Sequence, residues 1–395
     1  MGGYTHRLRG TDGSPGRCGV RYAVPSVDGM NTQHIETLII GAGQAGLATG
    51  YQLKRLGRDF LIVDGMARIG DNWRCHYDSL TLFTPARANS LDGVPFPGDQ
   101  WHFPTKDEFA EYLELYAVAN DLPVRMQTRV ERLTGREDGG FTATLGDDEV
   151  TCDYVVVATG TFGRSAQIPT LASEIDPGIR QLHSSDYQCP DELPDGPVLV
   201  VGASHSGLDI AYEIAATRPT TLVGPERGNV PLEWGSRRLE RAFPVIEFVF
   251  NHVLTRRTPM GRKVMAKIRH HGAPQLRVKR HHLADRDVEW ITEHITDVDD
   301  GRPCLADGRS FDVASIVWAT GFRQSYDWID LPLPVEDGWP VEYRGVVDAI
   351  PGLYFCGLAF QYCFASGEVN GVSRDAEYLA RRIAARTPAP APATA

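Results

Sequence analysis

Short apolar runs divide the chain into alternating strand-like and helix-like segments. Thr37-Leu38-Ile39-Ile40, Phe60-Leu61-Ile62-Val63, Val198-Leu199-Val200-Val201 and Thr221-Leu222-Val223 each have strand length. Helix-like stretches follow two of them, Leu47 to Leu56 and Leu208 to Ala215. This alternation predicts an α/β architecture of parallel sheets with helices on both faces. Phe141 to Leu145 and Val150 to Val157 read as strands of an inserted β layer and a return strand. Pro351 to Gly357 reads as a last strand with a loop, and Val372 to Arg382 as the helix after it. Residues 1–34 are rich in Gly, Arg and Ser without periodicity and read as a disordered leader, with Met30 the start of the folded unit. Residues 387–395 are a Pro/Ala string and read as a disordered tail.

The turns after the strands carry the chemistry. Gly41-Ala42-Gly43-Gln44-Ala45-Gly46 follows the first strand, and Gly202-Ala203-Ser204-His205-Ser206-Gly207 follows the third. Glycines there permit a tight turn and close backbone approach to a pyrophosphate, and the helix N-terminus supplies free N–H groups. The strand–turn–helix context gives weight to a motif that is weak alone. Two such loops suggest two nucleotides used together, a flavin that receives hydride from a nicotinamide. The residues C-terminal to each loop distinguish the two. Asp64, about 20 residues past the first loop, suits a ribose diol and would repel a 2′-phosphate. That assigns FAD there. After the second loop comes Gly224-Pro225-Glu226-Arg227. Arg227 is a clamp for a 2′-phosphate, which assigns NADPH, while Glu226 leaves NADH open. Ser204 replaces the middle glycine and adds a hydroxyl that can face the pyrophosphate.

Two matched segments close the two units, Val155-Val156-Val157-Ala158-Thr159-Gly160 and Ile316-Val317-Trp318-Ala319-Thr320-Gly321-Phe322. Small residues at a strand end suit a close backbone approach to a cofactor or a hinge. The expected fold is therefore two dinucleotide-binding Rossmann-like domains, the NADPH domain inserted in the FAD domain. The boundaries read as 35–165 with 322–386 for FAD, and 166–321 for NADPH.

Composition narrows the function classes. The chain has 395 residues and a formal net charge of -11, which argues against nucleic-acid binding. No uninterrupted apolar stretch reaches the ~18 residues of a membrane span. Seven cysteines are scattered with no Cys-x-x-Cys pair, so a reduced, cytoplasmic protein is expected, without thiol-based reductase chemistry.

The ordered set of residues resembles the flavin-containing monooxygenases, the class B flavoprotein monooxygenases, and within them a bacterial CzcO-like group. The set runs Gly41 to Gly46, Asp64, Gly70-Asp71-Asn72-Trp73-Arg74, Val94-Pro95-Phe96-Pro97, Ala158-Thr159-Gly160, His183 with Tyr187, Gly202 to Gly207, and Ala319-Thr320-Gly321-Phe322. The resemblance covers about residues 35–385. It implies FAD, NADPH and O₂, with one oxygen atom delivered through a flavin C4a-hydroperoxide. It also implies flavin packing by Trp73 and a polar contact by Arg74, and it places Thr159, Gly160, Thr320 and Gly321 at the cofactors.

Two departures shape the expected chemistry. The family motif Phe-x-Gly-x-x-x-His-x-x-x-Tyr/Phe lacks its Phe here, and Gly178 lies one residue too far from His183; the His-x-x-x-Tyr half is intact. Tyr187 in place of Trp favours heteroatom oxidation over the Baeyer–Villiger branch. His183 is expected to order the linker rather than move protons. Phe83 stands where animal-type members have an Asn near flavin N5, and Phe cannot hydrogen-bond a peroxide. Thr84 is the nearest hydroxyl and the substitute candidate. The catalytic candidates are thus Phe83, Thr84 and His183.

His270-His271 and His281-His282 sit in a basic stretch without a ligand-spaced cysteine or carboxylate, and read as a solvated loop rather than a metal site. Ala242 to Phe250 is strongly apolar. It reads as a helix on the NADPH domain, an access lid, or a membrane-surface helix. Asn370-Gly371 is expected to put a helix N-terminus near the flavin pyrimidine carbonyl. The leading function is N- or S-oxygenation of a small organic substrate. The alternatives are Baeyer–Villiger oxidation, oxidative decarboxylation of a 2-oxo acid, and a non-enzymatic nucleotide-sensing regulator of ion transport. A homodimer is compatible with the sequence.

Overall fold

The computed structural model describes residues 33–160, 165–271 and 274–386. The predicted tail and residues 1–32 of the predicted leader lie outside them. The first strand, Gln33–Ile40, takes in the last two residues of that leader.

Two sheets carry the fold. The larger has eight strands, with Gln33–Ile40 between Asp148–Val157 and Phe60–Val63. Both neighbours run parallel to it, Leu38 opposite Leu61 on one side and Val155 on the other. Phe141–Leu145 pairs antiparallel with the start of Asp148–Val157, so these strands are continuous with the main sheet and not a separate layer. The correction has a simple cause. Asp148–Val157 is long enough to serve an antiparallel hairpin at its start and the parallel sheet at its end. Leu353–Phe355 then returns to pair parallel with Val155 to Val157.

The smaller sheet has five parallel strands in the order Glu289–Ile291, Thr220–Val223, Val198–Val201, Ser315–Trp318, Arg180–His183. Its strands fall between the two stretches of chain that build the larger sheet.

Continuous apolar strands are explained by burial on both faces. Ile39, Ile62 and Val156 face one core, shared with the helices Gln44–Arg55, Lys106–Ala119 and Val369–Ala384. Leu38, Leu61 and Val155 face the other. In the smaller sheet Val200, Leu222 and Val317 pack against His205–Ile214, while Leu199, Val223 and Trp318 face the opposite core. Full burial of each such side chain contributes about 1.5–3 kcal/mol.

The basic stretch read as a loop is helical, Pro259–His271 and Arg280–Ala284. Val264 and Ile268, one helical turn apart, are half-buried, and Leu283 is buried. That spacing gives Pro259–His271 an apolar side despite its charge. No helix among the described residues is long and apolar enough to cross a membrane.

Candidate functional site

The two glycine loops are built alike. Gly41 has φ +113° and Gly202 φ +112°, in the region that favours glycine. A Cβ on Gly41 would lie 2.5 Å from the Ala158 carbonyl oxygen, and one on Gly202 2.2 Å from that of Ala319. The Ala-Thr-Gly segments therefore serve as floors on which the loops rest. A Cβ on Gly46 would fall 1.8 Å from the Gly41 oxygen, and one on Gly207 1.7 Å from the Gly202 oxygen. These glycines let each helix start directly on its strand. The backbone bonds repeat as well: Gly41 N donates to Val63 O and Gly202 N to Val223 O.

Gly43 differs from its neighbours. A Cβ there would meet nothing nearer than Asn72 Nδ2 at 3.9 Å. It caps Gln44–Arg55 with no side-chain cap bond, so the helix N-terminus presents free N–H groups to open space. Asp64 closes the loop: Oδ2 accepts from Ala42 N at 2.7 Å and Oδ1 from Met66 N at 2.8 Å. Trp73, in the short helix Asp71–Arg74, stands edge-on to Phe109 and leaves a buried Nε1 without a partner among the described residues. Asn370 Oδ1, in the first turn of Val369–Ala384, is also buried without one. Gly357 brings the last strand's loop against Gln44–Arg55: a Cβ on it would lie 2.7 Å from that of Ala45. Buried polar atoms without partners are uncommon and call for an explanation. The open cradle at Gly43, the free helix N-terminus and these two atoms fit a bound dinucleotide such as FAD. Arg74 has a second role: it pairs with Asp71 at 2.9 Å and Glu114 at 3.2 Å and donates to Ile69 O.

The second loop keeps the frame and changes the ligand-facing positions. Ser204 replaces Gly43 at the helix cap. Gly224 stands at the Asp64 position, and a Cβ there would lie 2.8 Å from Ala203 N. No acid can occupy that place. Arg227 comes next on the half-buried loop and has no ion pair or hydrogen bond among the described residues. Glu226 accepts from Gln275 Nε2 at 2.8 Å and has Arg280 at 3.6 Å, so its charge is answered. The set fits a phosphorylated ribose. Sequence spacing concealed Asn72 beside Gly43 and Arg280 beside Glu226, because folding alone brings them there.

The two units meet along a seam. Tyr77 donates to Asp209, and Arg277, itself paired with Asp209, donates to Ser79 O; within the second unit Tyr187 donates to Glu213. Burial raises the Glu213 pKa. The loop after Trp73 thus lies along His205–Ile214 and ends with Phe83 on the His205 ring, 5.4 Å between centroids. Burial lowers the pKa of His205, whose Nε2 bonds Pro274 O at 2.7 Å. Thr84 spends its hydroxyl proton on Asn89 Oδ1 at 2.7 Å.

His183 is buried, with Nε2 3.0 Å from Gly321 O and Nδ1 accepting from Ser185 N. Burial lowers its pKa. It ties its strand to the Ala-Thr-Gly floor. Thr320 donates to Gln167 O on the same side. Glu233 comes within 4.8 Å of His281 and His282, a carboxylate that sequence spacing did not show. Lys279 Nζ donates to Glu233 there, and its backbone N–H donates to the His282 ring.

Comparison with known proteins agrees with this geometry. Residues 38–229 match the family model described as pyridine nucleotide-disulphide oxidoreductase. A CzcO-like oxidoreductase of Geobacillus kaustophilus is 38% identical over 89% of this chain and 99% of its own. A flavin-containing monooxygenase structure from Stenotrophomonas maltophilia is 25% identical, with a TM-score of 0.69 over 89% of this chain and 99% of that one. The chain belongs to the flavin-containing monooxygenase family, in its CzcO-like branch. It is a flavin-dependent enzyme that uses FAD and NADPH. A probable indole-3-pyruvate monooxygenase of Arabidopsis thaliana is 26% identical over 88% of the chain and 86% of its own.

Proposed function

We propose that the first loop holds FAD, the second holds NADPH, and the enzyme inserts one atom of O₂ into a soft nitrogen or sulfur of a small organic substrate. Bound FAD supplies the redox chemistry. Gly43 leaves room for its pyrophosphate, Asp64 orders the loop beneath it, and Trp73 and Asn370 offer polar atoms. Gly224 and Arg227 admit a 2′-phosphate on the nicotinamide nucleotide. Phe83 excludes water at the seam without offering a hydrogen bond. The two sheets support a division into 35–165 with 322–386 and 166–321, and we place the reaction in the cytoplasm.

The observation that carries the oxygenation reading is Tyr187. It is buried with its hydroxyl on Glu213, where the Baeyer–Villiger branch would have Trp. Oxidative decarboxylation of a 2-oxo acid is the second reading, supported by the name of the Arabidopsis relative. The test is NADPH consumption against an amine, a thioether, a ketone and a 2-oxo acid, with hydrogen peroxide measured alongside. An amine or thioether should stimulate consumption and yield an oxide. Because Phe83 cannot hold a peroxide by hydrogen bonding, substantial peroxide should form without substrate. Stimulation by the 2-oxo acid alone would replace the first reading with the second.

A further inference from the structure

Ser236 caps the helix Arg237–Phe248, which runs into a π turn, Val249–Val253. Leu239 and Phe243 pack with Ala88, Trp101 and Phe103. Of the three readings of this segment, the structure shows a helix packed between the first unit's loop and Leu232 and Trp234 of the second unit, with one face left open. Phe250 reaches further and meets Phe364 at 4.2 Å between ring centroids.

The opposite face is exposed. Val245 is 66% exposed and Phe248 58%, and Met260 just beyond is 52% exposed. At about 100° per residue, Arg237, Arg241, Val245 and Phe248 share one stripe, and Arg238 and Pro244 flank it. All six are exposed. Arg257, Arg262 and Lys263, next along the chain, are exposed as well. Residues 237–269 hold nine basic and two acidic residues in a chain whose formal net charge is -11; Arg256 and Arg269 are paired with buried Glu342, and the other seven basic residues are exposed. The two acids, Glu240 and Glu247, are half-buried, and Glu247 faces Arg87 at 3.9 Å.

We infer that this helix and the start of Pro259–His271 form a peripheral docking surface for an anionic lipid bilayer. Interleaved basic and large apolar side chains on one helix face match a lipid interface, where the first meet headgroups and the second enter the acyl boundary. A nucleic acid would answer the charge but leave Val245, Phe248 and Met260 in water. An acidic overall charge with one concentrated basic face orients the molecule, because the rest of its surface is repelled. The buried face fixes the helix to the flavin unit, so docking holds the enzyme at the interface without a spanning segment. The inference does not depend on which substrate is oxygenated.

The test is flotation of the flavin-loaded protein with vesicles of phosphatidylglycerol and phosphatidylcholine, against pure phosphatidylcholine. Binding to the anionic vesicles is expected, and it should weaken with salt. Each basic residue near such a surface is worth about fivefold in partitioning. Replacing Arg237, Arg238 and Arg241 by Glu should cut partitioning about a hundredfold or more. Val245→Glu with Phe248→Glu should cut it about tenfold or more while leaving flavin absorbance and basal NADPH oxidation unchanged; Phe248→Ser is the milder variant if that pair misfolds. Equal binding to both vesicle types, or none, overturns the inference. So does anionic binding that the apolar variants leave intact and a DNA duplex matches, which marks a general polyanion site. Concentration-dependent dimers that Phe248→Glu disrupts would assign the face to a second copy of the chain and overturn it too.

Discussion

The two glycine loops share one scaffold and differ at the helix cap and at the position after the second strand of each unit. Gly41 and Gly202 rest on Ala158 and Ala319, and Gly46 and Gly207 sit against the turns below them, at distances that agree within a few tenths of an ångström. The divergent positions are Gly43 against Ser204, Gln44 against His205, Ala45 against Ser206 and Asp64 against Gly224, with Arg227 added in the second unit. Gly41 with Gly202 and Gly46 with Gly207, fixed by backbone collision, stay glycine in both units, whereas Gly224 is so fixed in the second unit alone. Positions facing open space are free to encode which nucleotide binds. The comparison separates what the fold demands from what the cofactor demands, and substitutions at the two kinds of position should fail in different ways.

The largest effect is expected where the collision is with backbone. Gly46→Ala and Gly207→Ala would each place a methyl inside 2 Å of a carbonyl oxygen. Neither helix can start on its strand without a shift. Each should cost about 3 kcal/mol or more in stability, since overpacking against backbone relaxes poorly. Chemical denaturation of the two variants would check it, and losses of similar size would confirm the shared scaffold.

Gly43→Ala should separate fold from cofactor. Its methyl meets no described atom closer than 3.9 Å, so the folded chain should form with unchanged circular dichroism. The methyl would occupy the path of the pyrophosphate, and FAD should be lost. Absorbance of the purified variant near the flavin bands gives the occupancy. Full FAD retention would remove this loop as the flavin site.

A smaller effect is expected at His183. Burial lowers its pKa from the ordinary value of 6.5. The unfolded chain therefore binds this proton more readily than the folded one, and acidification below 6.5 favours unfolding. His183→Gln keeps a donor for Gly321 O but does not titrate. Its stability deficit against the parent should be widest at pH 7 and should narrow as the pH falls towards 5. A constant deficit would mean that His183 does not titrate on unfolding in this range.

Much of the frame is legible in the sequence because its cause is local. Continuous apolar runs mark parallel strands, and the glycine spacing marks the turns that collision requires. Helix ends are less legible: the sequence pattern begins the last helix at Val372, whereas it starts at Val369. The hairpin at Phe141–Leu145 reads as a separate layer because one long strand serves two pairings. The role of Thr84 is hidden by Asn89, which takes its proton. Asp71 and Glu114 pair with Arg74, a role that the sequence did not show beside its expected flavin contact. The partners of Arg280, Asn72 and Glu233 come from chain segments distant in sequence, so no local pattern could reveal them.

The central claim is that the second loop diverged to take a 2′-phosphorylated nucleotide. Its most direct test is titration of the flavin-loaded protein with NADP⁺ and with NAD⁺, in the parent and in Arg227→Ala. A charge-assisted contact of this kind is worth about 1.5–3 kcal/mol, or roughly ten- to a hundredfold in affinity. The account predicts that Arg227→Ala weakens NADP⁺ by that factor and leaves NAD⁺ nearly unchanged. Equal weakening of both nucleotides, or of neither, would contradict it.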